Sequence, residues 1–229
     1  MSRPFDIRVP LERGYLRHSL FAIELLDAVT LSRVTQGVKV VADGLQGRPT
    51  VNAGGIFVWR DEPIGPLRKV RIDPGTLPYE TVEREKGQLQ LPPVPVPLTT
   101  IELPPRLDYA FAPGITGARG TVIEERVGPP EPVRSAEVRL RWLDDDGVTW
   151  HDGPTTSHTN ADGDFVSILR FGPTDIPRLN AARELTVRLW VRRDPASARR
   201  SADLLLPQGR ISDPSAVSAL RFAWDELLP

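Results

Sequence analysis

Asn160-Ala161-Asp162-Gly163-Asp164-Phe165 repeats a phrase met earlier in the chain as Asn52-Ala53-Gly54-Gly55-Ile56-Phe57. Both copies read Asn-Ala-x-Gly-x-Phe. Each follows a β-branched run and precedes further strand-forming residues. Each therefore reads as a hairpin turn: Asn and Gly tolerate the positive φ such turns need, and Phe re-enters an apolar core. Asn52, Gly55, Phe57, Asn160, Gly163 and Phe165 are accordingly structural turn residues, and the repetition predicts a duplicated β-module.

The flanking sequence agrees. Residues 136–142 alternate with period two, which places Ala136, Val138, Leu140 and Trp142 on one apolar face. Residues 116–123, 165–171 and 185–191 also read as strands, as do 19–27, 38–42, 56–60, 68–72 and 99–103 in the first half, where helical periodicity is absent. The 24 prolines point the same way, because helix interiors and central strands reject a residue without an N–H. The expected fold is all-β: two tandem Greek-key β-sandwich modules with a short C-terminal helix or strand. Residues 1–15 are read as an N-terminal arm, 16–104 as the first module, 105–112 as a Pro-rich joint, 113–206 as the second module and 207–229 as a C-terminal segment. The tract Leu91-Pro92-Pro93-Val94-Pro95-Val96-Pro97-Leu98 favours polyproline II; it reads as an extended edge or loop rather than as a peptide ligand.

Composition excludes several function classes. With 29 basic against 30 acidic residues, the net charge of −1 creates no global field to draw in nucleic acid or an anionic membrane, and neither is expected as a partner. There is no cysteine, so neither disulfides nor thiolate metal sites are available. The N-terminus lacks the apolar core of a secretory signal, and no apolar run approaches the roughly 18 residues that span a bilayer, so the expected site of synthesis is the cytoplasm.

The second module runs from a Gly-Thr-Val strand (Gly120-Thr121-Val122) through an Ala-x-Val-x-Leu strand to Thr159-Asn160-Ala161-Asp162-Gly163-Asp164-Phe165. This order resembles the carboxypeptidase regulatory-like, transthyretin-type β-sandwich, over roughly residues 115–192. The first module, with Asp27-Ala28-Val29-Thr30 and Gly37-Val38-Lys39-Val40, is similar but looser. Two such modules joined through Leu103-Pro104-Pro105-Arg106 and Tyr109-Ala110-Phe111 also resemble small proteins encoded beside phage-tail-like contractile injection particles. That resemblance implies a structural subunit of a baseplate, tail or cap, whose partners are other protein subunits.

Catalytic chemistry has little to build on. His151, Asp152 and His158 do not have a recognised metal-ligand spacing. Asn160, Asp162 and Asp164 begin like a calcium loop, but Phe165 stands where glycine is required and Phe171 where a bidentate glutamate belongs. No nucleophile elbow, phosphate-cradling loop or His-Glu-x-x-His helix occurs. No catalytic residue, cofactor or metal is expected, and a small-molecule ligand is not anticipated. The arginines after residue 177 read as a strand face with an interface role before a phosphate-binding one. Trp142 reads as core and Trp150 as the more exposed tryptophan. Phe5, Ile7 and Val9 in the arm, Trp150, and Leu220 and Trp224 near the C-terminus are the candidate partner contacts. The leading expectation is a non-enzymatic structural or interaction subunit of a large bacterial assembly. A carbohydrate-binding accessory protein using Trp150 is the alternative, and an unrecognised hydrolase the third.

Overall fold

A computed structural model describes residues 21–45, 47–59, 67–89, 98–212 and 220–229. Among these the chain is all-β. The first half contributes β1 (Phe21–Asp27), β2 (Lys39–Asp43), β3 (Thr50–Val51), β4 (Phe57–Trp59), β5 (Lys69–Asp73), β6 (Val82–Glu85) and β7 (Leu98–Leu103), with a single 3-10 turn at Lys86–Gln88. They form two sheets, ordered β3-β4-β1-β7 and β2-β5-β6. Ile23, Leu25, Phe57, Trp59, Ile101 and Leu103 of the first sheet meet Val40, Ala42, Val70, Ile72 and Val82 of the second in one buried cluster.

The second half repeats the plan with β8 (Thr116–Glu124), β9 (Glu131–Pro132), β10 (Glu137–Leu143), β11 (Trp150–Asp152), β12 (Ser157–His158), β13 (Asp164–Leu169), β14 (Glu184–Arg192), β15 (Ala198–Arg200), β16 (Leu204–Pro207), β17 (Ile211–Ser212) and β18 (Leu220–Ala223). One sheet follows the order β11-β10-β14-β15, with β12 on β10 and β16 on β14; the other follows β13-β8-β17, with β18 and β9 also on β8. Val138, Leu140 and Trp142 of β10, alternating as the sequence predicts, close on Phe165 and Phe222 from the facing sheet.

The two halves share a topology. β1 pairs antiparallel with β4 and parallel with β7, while β8 pairs antiparallel with β13 and parallel with β17 and β18. Both copies of the repeated phrase therefore lead into the antiparallel partner of a module's first strand. Their hydrogen bonds match. Asn52 donates its N–H to the Ile56 carbonyl (3.0 Å) and accepts the Ile56 N–H on Oδ1 (2.9 Å); Asn160 does the same with Asp164 (2.9 and 2.9 Å). Gly55 and Gly163 supply the left-handed position at φ 78° and 81°, and a Cβ on Gly163 would lie 2.4 Å from the Val122 carbonyl oxygen. Phe57 and Phe165 are both buried.

The structure contains a third copy of this turn. Asn180 donates to the Glu184 carbonyl (3.0 Å) and accepts the Glu184 N–H on Oδ1 (2.9 Å), so Asn180-Ala181-Ala182-Arg183-Glu184-Leu185 folds as the other two do. Arg183 occupies the glycine position at φ 60°, and Leu185 occupies the buried one. An L side chain at that φ is strained. Arg183→Gly should therefore raise stability by about 0.5–1 kcal/mol, the relief being partly offset by the freer unfolded chain. Urea denaturation measures it, and a loss of stability would contradict the assignment.

The strands expected from sequence are found where the described residues reach them. The C-terminal segment carries the short strand expected there: β17 and β18 pair with β8. One expectation needs correction. Leu220 and Trp224, expected as partner contacts, instead serve their own core: Trp224 is buried within it and Leu220 packs against it. The arm with Phe5, Ile7 and Val9, and the proline tract up to Pro97, lie outside the described residues. Among the described residues, no helix is long and apolar enough to cross a membrane.

Candidate functional site

The joint between the modules is a fastened seam, built around Asp27 at the end of β1. One carboxylate oxygen accepts the N–H groups of Val29 (2.6 Å) and Thr30 (3.2 Å). The other accepts the hydroxyls of Tyr79 (3.1 Å) and Tyr109 (2.6 Å). Asp27 is buried, so these bonds satisfy a group that would otherwise be costly to desolvate. Burial first, then the charge of Asp27, pushes the Tyr79 hydroxyl up to about 12; burial and the bond to Asp27 raise Tyr109 further.

Tyr109 belongs to the joint, and its ring continues a row from Tyr79 (5.9 Å between centroids) to Phe111 (4.8 Å). Arg119 of β8 sits 5.4 Å over Phe111 and donates to the Tyr109 carbonyl (3.2 Å), so the row is held from both modules. Arg170, following β13, reaches across to donate to the Ala28 carbonyl (2.8 Å) and to both oxygens of Glu102 on β7 (3.2 and 2.9 Å). A third tie joins β12 to Glu80, which accepts the His158 N–H (3.0 and 3.1 Å) and pairs with its Nδ1 (2.9 Å).

The His158 tie depends on pH. Its hydrogen bond to Glu80, against the opposing effect of burial, holds the imidazole above its ordinary value of 6.5. A raised folded-state pKa gives stabilisation that is complete below about 6.5 and is lost as pH rises through the folded value. The seam should accordingly loosen on the alkaline side of that window, by a small amount because the ring is partly solvated. An NMR titration of the His158 ring should report the raised pKa in the native chain and an ordinary one in Glu80→Gln. Equal values in the two would show that the bond does not set it.

A cleft of about 490 Å³ opens along the seam, lined by Glu80, His158, Asn160 and Phe165 among others. Both Glu80 oxygens are already engaged by His158, so this pair serves as a tie between modules.

The outward face of β10, β14 and β15 carries a ladder of arginine and tryptophan. Register puts Trp190 opposite Arg139 on one side and Arg200 on the other, and Arg141 opposite Arg188. The guanidinium groups of Arg139 and Arg192 lie 5.8 and 5.3 Å from the Trp190 ring. Arg188 stacks 3.9 Å above Trp150. Acids tie the ladder down: Asp203 holds Arg188 (2.6 Å), Glu137 holds Arg192, and Asp152 holds Arg139 (3.0 Å). Asp152 also meets Arg141 at 2.7 Å, as an ion pair without an aligned hydrogen bond.

Comparison of the chain with protein-family models, with curated proteins and with solved structures finds no match.

The structure separates the other expected candidates. His151 stacks on buried Trp142 (4.4 Å) and bonds Asp144 (2.9 Å), Asp152 faces Arg139 and Arg141, and His158 faces Glu80. Asn160 Oδ1 is taken by the N–H groups of Asp162 and Asp164 within the turn, and Asp164 Oδ1 accepts the Thr121 hydroxyl of β8 (2.6 Å). Trp150 is half-buried, with one face of its ring under Arg188. The roles of Asp27, Tyr79, Arg170 and Trp190 were not foreseen from sequence, and Tyr109 was foreseen only as part of the joint.

Proposed function

We propose that this chain is a non-enzymatic structural or interaction subunit of a large bacterial assembly, acting as a baseplate, tail or cap component of a phage-tail-like contractile injection particle. The observation that carries the reading is the ladder around Trp190. Arginine and tryptophan are the residue types enriched at binding hot spots, and here ion pairs and stacking hold their side chains in place, which lowers the entropy lost on docking. The seam supports it, since three ties on separate elements hold the two modules as one body, as a load-transmitting subunit requires. The link to injection particles comes from the resemblance of the joined pair of modules to small proteins encoded beside such particles.

The test is sedimentation of assembled particles from the native host. The chain should travel with sheath and tube proteins, and Trp190→Ala should leave it in the slow fraction with its melting temperature preserved. A wild-type chain found only in the slow fraction while particles assemble normally would overturn the proposal.

A further inference from the structure

A second hollow between the modules, about 370 Å³, is lined by Arg84 and Gln88 from the first and by Arg139, Thr155 and Thr156 from the second, with Glu102 beside them. Its hydrogen-bonding groups are mostly donors. Among the described residues the Arg84 side chain on β6 makes one hydrogen bond, to the Glu83 carbonyl (3.0 Å), and no carboxylate lies within ion-pairing distance of it. The acids around it are committed elsewhere: Glu80 to His158, Glu137 to Arg192, and both oxygens of Glu102 to Arg170. Burial lowers the Arg84 pKa, with Glu137 and Glu80 opposing. A guanidinium partly withdrawn from water gains most from an anion that shares its desolvation.

The hydroxyls add to this. Thr156 Oγ1 accepts two bonds from Arg139 (3.1 and 2.6 Å), which leaves its own proton free to be donated. Thr155 is 6 % exposed, and among the described residues its Oγ1 has no hydrogen-bond partner. Gln88 uses its carbonyl oxygen on the Glu85 N–H (2.9 Å), leaving the amide NH₂ as a donor. A buried orphan hydroxyl beside a partly desolvated cation that no carboxylate contacts, although Glu80 and Glu137 act on it at longer range, favours an acceptor-only ligand.

We propose that this hollow binds an oxyanion, a carboxylate or a phosphate group, held by the Arg84 guanidinium and completed by the hydroxyls of Thr155 and Thr156. The inference stands apart from the assembly role, because it rests on Arg84 and Thr155, which lie outside the ladder, although Arg139 borders both. A free inorganic anion and an acidic side chain of a protein partner present the same chemistry.

The experiment titrates the full ¹⁵N-labelled chain with sodium phosphate, sodium sulfate and a capped tetraglutamate peptide, against sodium chloride at matched ionic strength. At least one probe should give saturable shifts at the Arg84 Nε–H and the Thr155 and Thr156 amides. Saturation by phosphate or sulfate alone assigns a free ion; saturation by the peptide assigns a partner's carboxylate. Arg84→Gln should weaken that binding about tenfold, the scale of one charge-assisted bond. Thr155→Val should weaken it too without lowering the melting temperature, since the hydroxyl has no internal partner to lose; this variant decides the matter if Arg84→Gln does not fold. Shifts no larger than those in chloride, or affinity unchanged in both variants, would overturn the proposal.

Discussion

Phe165→Ala should cost about 3–5 kcal/mol, the range for truncating a fully buried phenylalanine. Phe165 is 1 % exposed at the start of β13, and its ring lies 6.2 Å from that of Phe222 on β18. It also fills the space above Gly120, where a Cβ would come within 2.8 Å of the ring and 2.5 Å of the Leu220 carbonyl oxygen. Backbone approaches that closely only because both sides are shaped for it, so the cavity cannot collapse and its full cost remains. Domains have a total stability of about 5–15 kcal/mol, and the second module would lose a large part of its own. Chemical denaturation followed through tryptophan fluorescence measures this. Phe57→Ala should act in the same way on the first module, whose core is a separate cluster. A change below about 1 kcal/mol for Phe165→Ala would mean that the two turns do not anchor their modules.

Asp27→Ala should be nearly as damaging, at about 3–5 kcal/mol. The substitution leaves the Tyr79 and Tyr109 hydroxyls and the Val29 N–H without the acceptor they share, and an unpaired buried donor costs roughly 1–3 kcal/mol. It should also swing the modules apart, because Tyr109 belongs to the joint while Asp27 belongs to β1. Small-angle scattering should show a larger radius of gyration for Asp27→Ala than for wild type. Tyr109→Phe, which keeps the ring row and loses one charge-assisted bond, should cost about 1.5–3 kcal/mol and leave the radius unchanged. An Asp27→Ala chain of native stability and shape would remove Asp27 from the seam.

The difference between what the sequence announces and what it conceals follows the range of the interaction. Period-two alternation in residues 136–142 and the Asn-Gly turns are local signals, and β10, β4 and β13 stand where those signals lie. Arg183 is hidden because the turn requires a backbone angle rather than a residue type, and arginine gives no sign of a positive φ. Leu220 and Trp224 show an apolar row, but a row cannot say whether it faces its own core or another molecule. Asp27 meets Tyr79 and Tyr109 from 52 and 82 residues away, and Arg188 reaches Trp150 from the far side of a strand pairing. No local pattern encodes such meetings; only the fold brings them about. Arg84 is concealed in the same way, since its lack of an ion pair depends on which acids His158, Arg192 and Arg170 have taken.

The parallel pairing of each module's first strand with its last has a consequence during synthesis. The first module can close once Leu103 has been made, whereas β8 must wait for Ala223 before its final neighbour exists. At ribosomal speeds of about 5–20 residues per second, Gly117 and Gly120 spend seconds with an unshielded strand edge beside a finished domain. Through that interval the completed first module is the nearest folded surface, and the Tyr109 tether holds the nascent β8 close to it. The order of translation thus leaves the edge of β8 open longer than the matching edge of β1 in the first module, and a chain with the halves transposed should show, by ribosome-associated pelleting, a different share of aggregated nascent chains.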